Sequence, residues 1–103
     1  MSYNIDNFKI KEIKNFKIPD IYKILHSIKD YEPEIFEIDI DEETDEIKDI
    51  SLCGKCSGSF WHDTFENILK TSTGYLKALM VWEGGDTIAY LEINNGIVEY
   101  KEL

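Results

Sequence analysis

The chain contains no arginine; all eleven of its basic residues are lysine. Arginine makes the planar, two-pronged contacts to phosphate and guanine that nucleic-acid-binding surfaces rely on. Its absence, with a pI near 4.5, argues against direct nucleic-acid binding. Long hydrophobic runs are missing too. The longest is Ala78–Trp82, far short of the roughly 18 residues that a membrane span needs. An acidic chain is also repelled by anionic headgroups, so no membrane partner is expected. Residues Met1 to Asp6 show no basic stretch leading into an apolar one, so no signal peptide is read and a cytoplasmic location is expected.

Catalytic residue sets are equally scarce. Ser57, Ser59, Thr71, Ser72 and Thr73 sit in no nucleophile-elbow context. Only two histidines exist. His26 borders an apolar helix stripe. His62 precedes Asp63, which could orient its ring, but no nucleophile is near, and Asp63 serves better as a helix N-cap. The chain is therefore read as a non-enzyme without a cofactor.

Acid is abundant. Ten carboxylates lie between Glu32 and Asp49, with Lys48 as the one lysine among them. This segment carries −9 of the chain's formal −10, which leaves the other 85 residues nearly neutral. Like charges at this density repel one another and weaken the compact state unless a cation or a basic partner relieves them. Hydrophobic residues make up 43% of the chain and aromatics 13%, enough for one core and too many for a disordered chain. At 103 residues the chain is read as one domain, 1–103.

Alternation of apolar and lysine residues predicts one bent strand or a small hairpin over 4–18, with Phe8 and Ile10 inside and Lys9 and Lys11 outside. Pro19 and Asp20 are expected to open a helix whose buried stripe is Ile21, Ile24, Leu25 and Ile28, ending near Asp30. Ile35 to Asp41 reads as a strand with Phe36, Ile38 and Ile40 on one face and Glu37, Asp39 and Asp41 on the other. Glu42 to Asp45 forms its turn, and Ile47 to Cys53 returns with Ile50 and Leu52 inward. The carboxylates then line the solvent face and tip of a hairpin.

Residues 54–59 read as loop, and a second helix is expected from Asp63 to Thr71. Phe65, Ile68 and Leu69 are its inward positions, and Gly74 is its C-terminal cap. Three strands follow: Tyr75–Trp82, Thr87–Ile93 and Ile97–Glu102. Gly84-Gly85 and Asn95-Gly96 are their turns, and Asn-Gly is the strongest short hairpin signal. Tyr75–Trp82 is apolar on both faces and should lie centrally. Trp61 and Trp82 are assigned to the core, and Tyr90 and Ile88 to the opposite sheet face. The expected fold class is α+β. Its mainly antiparallel sheet has about five to six strands, two helices pack on one face, and a three-stranded meander ends the chain.

Two metal patterns need weighing. Cys53-Gly54-Lys55-Cys56 is a CxxC with His62 six residues beyond Cys56. Structural zinc sites ordinarily join two such pairs, so a zinc module on Cys53, Cys56 and His62 stands as an alternative reading. Otherwise these are two reduced thiols in a loop. The run from Asp39 to Asp45 superficially matches a calcium loop. That motif needs glycine sixth and glutamate twelfth, and the chain has Thr44 and Ile50 there, so an EF-hand is rejected.

The Trp82-Glu83-Gly84-Gly85-Asp86 turn, with the small size, the acidic balance and the missing catalytic set, resembles the small immunity proteins of bacterial polymorphic and contact-dependent toxin systems. The resemblance covers residues 57–103. It implies a protein that binds a cognate toxin domain and blocks it. The expected function is a non-enzymatic inhibitor of a basic, nuclease-type toxin. Its contact surface would be Glu37, Asp39, Asp41, Glu42, Glu43, Asp45 and Glu46. A phage-type inhibitor of a nucleic-acid-binding defence complex is the alternative use of the same surface.

Overall fold

The computed structural model describes residues 4–31, 36–83 and 87–102, and the side chains of all of these but 28–31. The fold is α+β. Strand β1 is Asn4–Lys17, helix α1 Ile21–Tyr31, β2 Phe36–Ile40, β3 Ile47–Leu52 and β4 Cys56–Ser57. Helix α2 covers 58–69, and β5 (Thr73–Trp82), β6 (Ile88–Asn94) and β7 (Ile97–Glu102) follow. The main sheet is antiparallel, in the order β4-β1-β5-β6-β7. Strands β2 and β3 form a separate two-stranded sheet that packs beside β1 without joining its ladder.

One long strand, not a hairpin, forms at the start. β1 stays paired with β5 through three register shifts. Asn15 takes a left-handed conformation at one of them. Such irregularities bend the strand and let Ile5, Phe8 and Phe16 all point inward despite their uneven spacing. Phe8 is buried, Ile10 half-buried, and Lys9 and Lys11 exposed. β5 occupies the centre of the sheet, with Leu76, Ala78 and Met80 fully buried. Leu91 and Ile93 from β6 join them on the covered face. The Asn95-Gly96 turn has positive φ at both residues and closes β6 onto β7, with Asn94 opposite Ile97.

Helix α1 begins two residues later than Pro19 suggests. Asp20 sits at φ 53°, outside the helix, and its carbonyl accepts the Ile24 N–H. Ile21 is buried and Ile24 and Leu25 are half-buried, while the side chain of Ile28 lies outside the described residues. Helix α2 begins earlier than expected. Residues 54–59 are not simple loop, because Cys56–Ser57 pairs with the start of β1 and the helix starts at Gly58. Ser57, not Asp63, caps it, with Oγ accepting the Phe60 N–H at 3.1 Å. The middle turn, Trp61–Phe65, is π-helical and is flanked by α-turns Gly58–Phe60 and Glu66–Leu69.

Gly74 belongs to β5 rather than to a helix cap. Its N–H donates to Asn95 Oδ1 and its carbonyl accepts the Asn95 N–H, both at 2.9 Å. The Gly84-Gly85 turn, Ile35 and most of the Trp82–Asp86 segment lie partly or wholly outside the described residues.

Candidate functional site

The acidic hairpin is built on five apolar side chains. Phe36, Ile38 and Ile40 are half-buried against the core, and Ile47 and Ile50 are fully buried. Phe36 stacks on Phe65 of α2 with centroids 4.4 Å apart, and lies 6.1 Å from both Phe8 and Trp61. Ile47 and Ile50 are three residues apart, which strict alternation would put on opposite faces. A bulge between the Asp39–Asp49 and Ile40–Ile47 pairs corrects the phase. As a result both isoleucines face inward and both Lys48 and Asp49 face solvent.

The tip is an ordered turn. The Asp41 N–H donates to the Glu46 carbonyl (2.8 Å), and the Asp45 N–H to the Asp41 carbonyl (2.7 Å). Asp41 Oδ1 accepts the Glu43 N–H at 2.9 Å, and Thr44 Oγ1 the Glu46 N–H at 3.3 Å. Asp45 adopts φ 61°, a conformation that aspartate tolerates better than most residues. Glu37, Asp39, Glu42, Glu43 and Asp45 are exposed, while Asp41 and Glu46 are half-buried in the turn. The seven sequence-picked carboxylates therefore share one contiguous element.

Charge on this element is barely compensated. Among the described residues, Lys48 Nζ, 3.0 Å from Glu46 Oε2, is the one lysine paired with any of the seven. The Glu46 hydrogen bond and charge raise the Lys48 pKa, reinforced by Asp41. Asp39 stands directly opposite Asp49 in the ladder. Like charges at cross-strand positions disfavour pairing by up to about 1 kcal/mol. Burying each of Ile47 and Ile50 contributes about 1.5–3 kcal/mol in the other direction. Packing therefore closes the hairpin in spite of its charge.

Tyr22 of α1 also belongs to this surface, and sequence reasoning missed it. The residue is 54% exposed. Partial desolvation raises its hydroxyl pKa, and the charges of Asp45, Glu42 and Asp41 raise it further. The hydroxyl thus lies within electrostatic reach of the acidic tip. Nothing local in the sequence relates the second residue of α1 to a turn twenty positions later.

Cys53, Cys56 and His62 are not gathered into a ligand set. Cys53 is exposed, while Cys56 is fully buried with Sγ 3.4 Å from the Ser57 carbonyl. The pairing of β4 with β1 directs Cys56 into the core. The His62 ring stacks on Trp82 at 5.8 Å, and its Nδ1 lies 3.5 Å from Glu66 Oε2. Among the described residues no group of three His, Cys, Asp or Glu side chains is placed to hold a metal ion.

A second polar cluster lies where α2 meets β7. Trp61, fully buried, donates from Nε1 to Tyr100 Oη at 2.7 Å, and Tyr100 donates to Glu66 Oε1 at 2.5 Å. Desolvation and the Glu66 carboxylate push the Tyr100 pKa well above its ordinary value, so the phenol stays protonated. Trp82, expected in the core, is half-buried instead and closes this cluster over His62. Between α1 and α2 runs an open cleft of about 630 Å³, lined by Pro19, Lys23, Ile24, Phe60, Thr64 and Ile68 among others.

No protein-family model, curated protein or solved structure matches the chain. No described helix is long and apolar enough to cross a membrane.

Proposed function

We propose that the protein is a non-enzymatic inhibitor that binds a basic protein through the β2–β3 hairpin. The observation that carries this reading is the ordered, barely compensated acidic hairpin: six exposed carboxylates (Glu37, Asp39, Glu42, Glu43, Asp45 and Asp49) on one element, with a single lysine pair among the described residues. A negative surface of this kind steers a positive partner and can raise association rates about 10–10³-fold at low salt. Tyr22 would add the aromatic contact that charge alone does not provide, since tyrosine is enriched among residues that anchor interfaces. A nuclease-type toxin is the partner class that fits best, because a phosphate-binding cleft is already positive and the hairpin would fill it as a nucleic-acid backbone does.

The test neutralises Glu37→Gln, Asp39→Asn, Glu42→Gln and Glu43→Gln together. Among the described residues none of these four carboxylates makes a hydrogen bond, so the fold should be retained. Capture from a source-organism lysate at low salt should retain a basic protein on the wild type and lose it on the variant. Stopped-flow mixing with that protein should then show slower association and a shallower salt dependence. Equal capture and equal association rates would remove the hairpin as the contact surface.

A further inference from the structure

β7 is an open edge. Among the described residues no strand pairs on its far side, whereas at the other end of the sheet β4 pairs with Asn4 and Ile5 of β1 and the hairpin flanks that strand. β7 runs six residues with no proline, and Ile97 is 66% and Tyr100 38% exposed. Such a strand offers a ready template for a further strand.

Two independent observations establish which backbone groups it offers. The two-residue turn makes Asn94 and Ile97 a hydrogen-bonded pair, and antiparallel ladders alternate. Glu92–Glu99 and Tyr90–Lys101 are then hydrogen-bonded pairs as well. From the other side of β6, the Trp82 N–H donates to the Thr87 carbonyl at 3.0 Å. Counting along from that pair directs Ala89, Leu91 and Ile93 at β5, and Tyr90, Glu92 and Asn94 at β7. Both routes agree. The N–H and C=O groups of Val98, Tyr100 and Glu102 therefore point outward from the sheet.

We propose that the chain forms a symmetric homodimer by antiparallel pairing of β7 with β7 of a second copy, with Tyr100 opposite the partner's Tyr100. Backbone parity allows only registers that match outward-pointing groups, and charge selects among them. With Tyr100 on the axis, Val98 meets the partner's Glu102 in hydrogen-bonded pairs. Glu99 faces the partner's Lys101 in the closer, non-hydrogen-bonded pairs, and does so twice by symmetry. A shift of one step to either side sets Glu99 against the partner's Glu99 or Lys101 against the partner's Lys101. Like charges so placed disfavour pairing. The apolar Ile97 gains cover at the same edge.

Long-range repulsion also favours this edge over the other. The acidic hairpin packs beside β1, three strands from β7. In the paired sheet the two copies of β1 are seven strand steps apart, about 34 Å. That is several times the roughly 8–10 Å screening length at physiological salt, so the two hairpins barely sense each other. The proposal does not rest on the hairpin's role as an inhibitor surface.

The test is sedimentation velocity from micromolar to millimolar chain concentration, with circular dichroism of each variant as a control for folding. The wild type should sediment as a dimer that dissociates on dilution. Val98→Pro removes one outward N–H and leaves the β6 ladder intact, and it should be monomeric. Glu99→Lys and Lys101→Glu should each weaken the dimer about tenfold or more. The double swap restores both cross-pairs, and within the chain it exchanges the Lys101–Glu92 ion pair for an ammonium at position 99 directly opposite Glu92. It should therefore dimerise within about threefold of the wild type. If Val98→Pro fails to fold, the swap series decides alone. A wild type that stays monomeric to millimolar concentration would overturn the proposal. So would a dimer indifferent to the single charge reversals, or a double swap no better than either single change.

Discussion

At the scale of single residues, Tyr100 shows how one hydroxyl can couple two elements. It accepts from the buried Trp61 indole and donates to Glu66, so it ties β7 to α2. Tyr100→Phe keeps the ring but strands the indole N–H, which is fully buried. The expected loss is about 1–3 kcal/mol in urea unfolding. Because the folded phenol binds its proton more tightly than a free tyrosine, the contribution is complete below pH about 10 and fades as pH rises through the folded value. A Phe variant as stable as the wild type at neutral pH would show that the indole finds another partner. Little of this pairing is legible in the sequence. The core position of Trp61 is, but its partner lies 39 positions away.

Elements are more legible where a period or a turn signal is local. Asn-Gly announces the β6–β7 turn, and the doubly apolar run of β5 announces the central strand. Bulges are not legible. The uneven spacing of Ile47 and Ile50 becomes meaningful only once β2 supplies a partner against which the extra residue can be counted. Gly74 reads as a helix cap because glycine suits that place. Its true constraint is tertiary: at φ 88° a β-carbon would lie 2.1 Å from the Asn15 carbonyl oxygen. Gly74→Ala should therefore cost at least about 2 kcal/mol, combining left-handed strain with the clash. Thermal unfolding measures this, and a shift within error would mean that β1 yields readily at Asn15.

At the scale of the whole molecule, charge is distributed by face. The hairpin carries the acid, while the uncovered sheet face holds Lys9, Lys14, Lys77 and Lys101 in register with Leu79, Tyr75, Glu92 and Tyr90. There Lys77 lies 4.7 Å over the Tyr90 ring, and Glu92 accepts from Tyr75 and Lys101. Those two bonds hold the Glu92 carboxyl below its usual range. Opposite charges on the sheet face thus offset each other, whereas on the hairpin Lys48 offsets Glu46 and the other carboxylates have no lysine partner among the described residues. Potassium chloride should consequently raise the unfolding temperature at neutral pH, by roughly 4–8 °C for each kcal/mol of hairpin repulsion screened. An unchanged or lower unfolding temperature would mean that the hairpin carboxylates are not under mutual strain.

The amino-acid sequence by itself determined the segregation of charge, the alternation that puts carboxylates on one face of a hairpin, and the α+β class. These depend on neighbours along the chain, where spacing translates directly into direction. Tertiary structure alone decided that the hairpin stands apart from the main ladder, that Tyr22 joins its tip, that Cys56 turns into the core and that β7 is left at the edge. Each of these depends on which distant segments meet, and that is set by how the whole apolar surface packs.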